Sequence, residues 1–449
     1  MTRRLSALAF GLVLSLAVLE VALRVAPGAL IPQKLLRRFQ ADVRSAIAQE
    51  IGLANASQMW TLARDDGGPE LLLRKPGSEI VWDFHDGHAR QAIRMDENGF
   101  CNAPSDRYDR DPIELVVLGD SFTECVVTDP ARTWPSRLGA LTGRSVYNLG
   151  KGGIGPYEYL QIFERFGVPK HPSVVVMSVY EGNDLRDAVL YHDYVEARRR
   201  GEQPTTELAG DRNTDPIDYQ AALDHPLGRH SRAVDLLVVG AGQLFESVHN
   251  QWLRATGGKA PERVDFRYTL ALPGRDVPFN VQNADESEVR FARMLHEGTV
   301  SLDAFDAALE RLAALAREHG FRAIVSYAPS ANTAYGAYVR YDDPALAELM
   351  PWFSAEQRRH LAARCEALGL EFVDLTPAFE AAVRERDADH LLYHPVNVHY
   401  TPDGHEVAAQ ALAQVVGRPA AAPLNAQAAP TPPPTTSGTS AGSRAAHRD

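Results

Sequence analysis

The chain is short of cysteine, of paired metal-ligand spacing and of positive charge. Only Cys101, Cys125 and Cys365 occur in 449 residues, with no CxxC pair. A structural zinc site, which gathers thiolates at close spacing, is therefore not expected. The odd count excludes a fully paired disulfide framework. Cys101 and Cys125 are near enough in sequence to bridge if the domain is exported; the alternative is a pair of small buried thiols. Basic residues are outnumbered, 46 Lys and Arg against 58 Asp and Glu, for a formal charge of -12. Binding to nucleic acid draws on clustered cations that release counterions, so no nucleic-acid partner is expected. Apolar residues are not scarce: at 45% hydrophobic the chain can bury a substantial core.

The N-terminus carries the longest uncharged run. After Arg3 and Arg4 come fifteen uncharged residues, Leu5–Leu19, and apolar character continues to Val25. Fifteen residues suit the apolar core of an export signal, and the full stretch reaches the length of a membrane span. No small-x-small cleavage site follows. Residues 1–25 are therefore read as an uncleaved membrane anchor, with a cleaved signal and a buried core helix as the alternatives. The catalytic domain is expected outside the cytoplasm, although Arg24, Lys34, Arg37 and Arg38 rival the two leading arginines and weaken the orientation argument.

Residues 26–110 read as an extension of short strands and loops. From about 111 the pattern becomes an alternation of short β-branched runs and amphipathic helices, which predicts an α/β fold with a parallel sheet. The expected strands are IELVVLG, SVYNLG, SVVVMSVY, FRAIVSYAP and LEFVDL. A helix is expected over 301–320, with Leu302, Phe305, Leu309, Leu312 and Leu315 or Ala316 on one face and Gly320 as its stop. Ser354 and Gln357 read as the capping box of another, ended by Gly369. A last helix starts with Thr401 as N-cap and Pro402 at its first position. Residues from about 190 to 300 break the rhythm and read as an insertion or cap. The Pro-, Ala-, Thr- and Ser-rich stretch 418–449 has almost no large apolar residue and is expected to be disordered.

Ligands of an open parallel sheet bind beyond the carboxyl ends of its strands. Four polar blocks fall at such places. Gly119-Asp120-Ser121 follows the first strand, NLGKGGIGP with Asn148, Gly150 and Gly153 the second, and YEGND with Gly182 and Asn183 the third. The fourth, HPVNVHYTPDGH, puts His399 in a loop just before a helix. Each block alone could be a turn, a helix cap or a surface histidine.

Taken together, GDSF, N-x-G-x-x-G, GND and H-x-x-x-x-GH resemble the SGNH (GDSL-type) hydrolase family in all four of its blocks, over roughly 113–187 and 301–416. The resemblance implies a flavodoxin-like three-layer sandwich and a serine esterase that needs no cofactor. Ser121 would be the nucleophile and His399 the base that takes its proton. The oxyanion hole would comprise the backbone N–H groups of Ser121 and Gly153 and the side-chain amide of Asn183.

One departure stands out. The family places an Asp two or three residues before the histidine, where this chain has Val396 and Asn397. The His could be oriented by Asn397, by backbone alone, or by a more distant carboxylate such as Asp389; otherwise activity would be weak. The first two are favoured. Asp120 is read as a structural turn residue and His405 as structural, and the His390, His394 and Asp389 segment offers no ligand pair for a metal. The expected partner is a small-molecule or glycan acyl ester. Two further functions use or lose the same site: an O-acyltransferase acting on an envelope polysaccharide, and an envelope-assembly protein whose catalysis has decayed.

Overall fold

The computed structural model describes residues 59–62, 71–82, 91–202, 264–281 and 285–418, together with single helical stretches between 11 and 22 and between 240 and 256. Residues 1–417 form one compact unit and 418–449 a second. The expected disorder of the tail concerns residues outside the described ones.

The extension contributes two antiparallel pairs, β1 (Met59–Leu62) with β2 (Leu71–Arg74) and β3 (Glu79–Trp82) with β4 (Gln91–Arg94). The central sheet begins with β5 (Leu115–Leu118), β6 (Val146–Asn148) and β7 (Val174–Tyr180). A hairpin of β8 (Tyr268–Leu272) and β9 (Arg275–Phe279) follows, then β10 (Arg322–Ala328), β11 (Val339–Tyr341) and β12 (Glu371–Asp374). The order across the central sheet is β12-β10-β7-β5-β6, and all four neighbouring pairs are parallel. Counted along the sheet's own strands this is 2-1-3-4-5, the flavodoxin-like order, whose switch point lies between β5 and β7. Every residue of β5 and β7 is buried. A parallel strand covered on both faces must read as a continuous apolar run, and LVVL and VVVMSVY do.

Helices flank the sheet. α1 (Trp134–Thr142) packs on a C-terminal helix, and α2 (Pro156–Ile162) and α3 (Asp184–Arg199) pack on each other. α4 (Glu286–His296), α5 (Asp306–His319) and α6 (Leu346–Leu368) join the second group, while α7 (Thr376–Glu385) and α8 (Pro402–Val416) join α1. The helix expected over 301–320 begins as a 3-10 turn, Leu302–Phe305, continues as α5, and ends at Gly320 with φ +73°. Its buried Leu309, Leu312 and Leu315 form the face read from the sequence. Thr401 caps α8, its hydroxyl accepting from the Gly404 N–H at 3.2 Å.

The structure corrects the capping box. α6 starts at Leu346 and runs through Pro351, and Ser354 lies inside it. Ser354 and Gln357 instead turn inward and donate to Glu181, the hydroxyl to Oε2 at 3.2 Å and the amide to the carbonyl at 3.3 Å. The hydroxyl thus serves the buried side chain of Glu181 and the amide its backbone carbonyl, polar groups that burial cuts off from water.

In the described part of the expected insertion, β8 and β9 form a three-stranded antiparallel sheet with β11, a strand the sequence reading lacked. At the N-terminus, Gly11 and Leu14–Ala22 are helical, with Leu14, Leu16, Val18 and Val21 exposed. Among the described residues no helix is long and apolar enough to cross a membrane. Most of the expected anchor falls outside those residues.

Candidate active site

The turn that carries Ser121 follows from close packing. β5 stops at Gly119, where a Cβ would lie 2.1 Å from Thr123 Oγ1, so no other residue fits without displacing the turn. Asp120 then folds the chain back on itself: its Oδ1 accepts from the Phe122 N–H at 2.9 Å, and its carbonyl accepts from the N–H groups of Thr123 and Glu124 at 3.1 and 2.9 Å. Ser121 is left half-buried at the tip while Asp120 and Phe122 point inward. Asp120 is thus the turn residue expected from the sequence. Burial, reinforced by the charges of Asp187 and Asp285, pushes its carboxyl up to about 7.

The histidine is delivered by a closed loop. Tyr393 bridges Tyr400 in antiparallel fashion, the His394 N–H donates to the His399 carbonyl at 2.8 Å, and the Thr401 N–H donates to the Leu392 carbonyl at 3.0 Å. Within the loop Asn397 Oδ1 accepts from the His399 N–H at 3.1 Å. Val398 sits between them with φ +59°, a left-handed conformation that is strained for a β-branched residue. The imidazole of the next residue faces the serine.

His399 Nε2 lies 3.0 Å from Ser121 Oγ. Nδ1 faces two oxygens of Asn397, the carbonyl at 3.1 Å and Oδ1 at 3.2 Å. Both oxygens accept, so Nδ1 carries the proton and Nε2 is left as the acceptor for the serine hydroxyl. The two favoured orienters of the sequence reading, Asn397 and the backbone, therefore occur together. Asp389 is exposed and paired with Arg275 at 3.2 Å. Burial pushes the His399 imidazole down to about 4, with the charge of His394 adding to this and the Asn397 carbonyl and Glu124 opposing it.

Aromatic rings complete the setting. Phe122 lies nearly parallel to His399, centroids 5.0 Å apart, and also stacks on Tyr180 at 3.7 Å. The Tyr180 hydroxyl is fixed by Asp285 Oδ2 at 2.8 Å. A cation forming on the imidazole would meet a π face. Sequence reading missed this role for Phe122; its only trace was an aromatic residue directly after the serine.

The expected oxyanion donors lie on the neighbouring loops. The loop after β6 is stitched to β5 and the start of the Ser121 turn by Leu149 N–H to the Val117 carbonyl at 2.9 Å and Lys151 N–H to the Gly119 carbonyl at 3.0 Å. Gly152 packs so closely that a Cβ there would lie 3.2 Å from the Ser121 Cβ and 2.9 Å from Glu124 Oε2. Gly153 follows, exposed, at φ +78°. Asn183 stands at the N-cap of α3 but makes no cap bond with its side chain, and its Oδ1 is buried without a hydrogen-bond partner.

Two histidines of the same region do other work. His405 is buried and its Nδ1 accepts from the Trp134 N–H at 3.2 Å, tying α8 to the start of α1. His390 is exposed and paired with Asp387. Among the described residues one cluster, Asp303, Asp306 and His360, has metal-ligand spacing, but Asp306 is already engaged by His360 and Arg364. Cys101 and Cys125 form a disulfide, and Cys365 is buried and free.

No family model matches the chain, and no curated protein does. Solved structures similar to it include Axe2, an acetylxylan esterase from Geobacillus stearothermophilus, at 13% identity over 69% of this chain and 96% of that one, TM-score 0.33. LAE5, an alpha/beta hydrolase enzyme from the metagenome of Lake Arreo, is similar at 14% identity over 69% and 97%, TM-score 0.34. A candidate lipolytic protein of G-D-S-L family from Desulfitobacterium hafniense DCB-2 is similar at 11% identity over 68% and 99%, TM-score 0.33. At such scores overall superposition is weak, and the fold is defined by the chain's own strand order.

Proposed function

We propose that the chain is a serine ester hydrolase of the SGNH type that cleaves an acyl ester through an acyl-serine intermediate. The observation that carries this reading is the 3.0 Å approach of His399 Nε2 to Ser121 Oγ at the switch point of the sheet. Neutral His399 takes the serine proton at Nε2 while Oγ attacks the ester carbonyl. The resulting oxyanion is held by the N–H groups of Ser121 and Gly153 and the amide of Asn183. His399 then protonates the leaving alcohol, and water repeats the sequence in reverse on the acyl-serine.

Asn397 supplies orientation without charge. It holds the tautomer that a serine–histidine pair needs, and the imidazolium formed in the transition state is stabilised by two carbonyl dipoles and the Phe122 ring face rather than by a carboxylate. The site requires no cofactor for this chemistry. An extracytoplasmic setting is supported by the Cys101–Cys125 bridge, since disulfides persist in oxidising compartments.

A panel of p-nitrophenyl esters of increasing chain length tests the reading. Turnover above background with at least one ester, abolished in Ser121→Ala, is the expected result. Equal rates for the wild type and Ser121→Ala on every ester would exclude it. Product analysis with a carbohydrate acceptor separates free acid from a transferred acyl group.

A further inference from the structure

Beneath the turn of Ser121 lies a charged group that takes no direct part in the chemistry above and reaches it only through its field at His399. Glu124 sits three residues after Ser121, fully buried, with its side chain about as inaccessible as that of any core residue at 1% exposure. Its Oε1 accepts from Arg74 Nε at 3.0 Å, and Arg74, at the end of β2, is itself buried. Its Oε2 accepts from the Gly152 N–H at 2.7 Å. One carboxylate thus joins an arginine of the extension, fifty positions upstream, to the loop beside Gly153.

The surroundings make this a rigid connection. Gly99 closes over Arg74 so tightly that a Cβ there would lie 2.0 Å from the Arg74 carbonyl oxygen. Cys101 and Cys125 bond the extension covalently to the residue next to Glu124. Asn102 exchanges hydrogen bonds with the backbone of Asn148, its Nδ2 donating to the carbonyl at 3.0 Å and its Oδ1 accepting from the N–H at 2.8 Å. Lys151, also buried, contributes the second positive charge facing Glu124, and its ammonium donates to the Gly152 carbonyl. Burying three charges is costly unless each is paired in fixed geometry. A fold that needed only a packed loop could have used apolar residues here.

We propose that Arg74, Glu124 and the Gly152 N–H form a strut through which the N-terminal extension positions the Gly152–Gly153 edge of the oxyanion pocket. Arg74 and Glu124 are positioning residues: they touch neither substrate nor reacting atoms. The proposal rests on the esterase reading, because it assigns the 152–153 edge to the stabilisation of an oxyanion. It makes the extension part of the working enzyme rather than a separate module.

The test uses the full chain and the variants Glu124→Ala, Glu124→Gln and Arg74→Met/Glu124→Met, the last removing both partners of the ion pair so that neither is left buried alone. Each folded variant is titrated with a fluorophosphonate, and kcat and KM are measured per labelled serine on the ester the wild type turns over. Displacement of an oxyanion donor by about 1 Å costs on the order of 10²-fold. The expected result is a fall of that order in kcat and in labelling rate for Glu124→Ala and the double variant, KM within about twofold, with Glu124→Gln retaining more activity through its amide oxygen. Variants that melt earlier but keep wild-type kcat per labelled serine would overturn the strut and leave the esterase reading standing. If Glu124→Ala does not fold, the double variant decides alone. An unlabelled wild type would instead remove the esterase reading itself.

Discussion

Ser121 Oγ and His399 Nε2 lie 3.0 Å apart although 278 positions separate them in the chain. The sheet explains the meeting. Ser121 follows β5 at the switch point, and the loop of His399 is held by the Tyr393–Tyr400 bridge and the capped start of α8. The hydrogen bonds of Asn397 then choose which nitrogen faces the serine.

The acid limb of activity is the first consequence. A base pushed down to about 4 stays unprotonated through mildly acidic conditions, so kcat/KM should hold down to about pH 4 rather than fall near the ordinary histidine value of 6.5. Asn397→Asp keeps both acceptor positions and adds a negative charge, which favours the imidazolium and raises its pKa. The acid limb of that variant is expected to move up toward 6.5 in a pH–rate profile. Superimposable profiles for the two proteins would show that Asn397 does not govern the base.

Phe122→Leu tests the ring stack. Loss of an aromatic contact worth about 0.5–1.5 kcal/mol corresponds to as much as about a tenfold change in rate. We expect kcat to fall within that range and the acid limb to rise as water reaches the imidazole. The account is wrong on this point if rate and profile are both unaltered in a folded Phe122→Leu protein.

How much of this was legible in the sequence follows from what kind of contact each feature needs. Ser121, His399, Gly153 and Asn183 were picked out through the resemblance of four blocks to one family; a short polar block after an apolar run marks by itself only a loop of the kind a parallel sheet gathers at one end. The parallel α/β architecture was legible in the alternation of short β-branched runs with amphipathic helices. Phe122 on His399, Arg74 on Glu124 and β11 beside β8 were not, because each joins segments far apart in sequence with no pattern of its own. Ser354 and Gln357 misled because a capping-box spacing also puts two donors on one helix face, where Glu181 needed them.

Gly152→Ala addresses the closest packing in the site. The added methyl would press on Ser121 Cβ and Glu124 Oε2 at 3.2 and 2.9 Å, so the loop must move away from the nucleophile. A fall in kcat on the order of 10²-fold with little change in melting temperature is expected. Wild-type kcat in this variant would mean that the loop takes no part in catalysis.

Stability should weaken on the acid side through His405. Burial pushes its imidazole down to about 3 from an unfolded value of 6.5, with nearby His394 and Arg137 adding to the shift. Between those values the unfolded chain binds the proton and the folded chain does not, so this contribution is complete above pH 6.5 and is lost as pH falls toward 3. His405→Gln, which keeps an acceptor for the Trp134 N–H, should flatten the loss in denaturant titrations run from pH 7 to 4. An unchanged slope would assign acid sensitivity to other groups.

The most direct measurement of the central claim is fluorophosphonate labelling of the full-length protein with the modified residue located by mass spectrometry. The account predicts one labelled site, Ser121, lost in Ser121→Ala and strongly slowed in His399→Ala. A folded protein that takes up no label at Ser121, or that labels equally fast without His399, would contradict it.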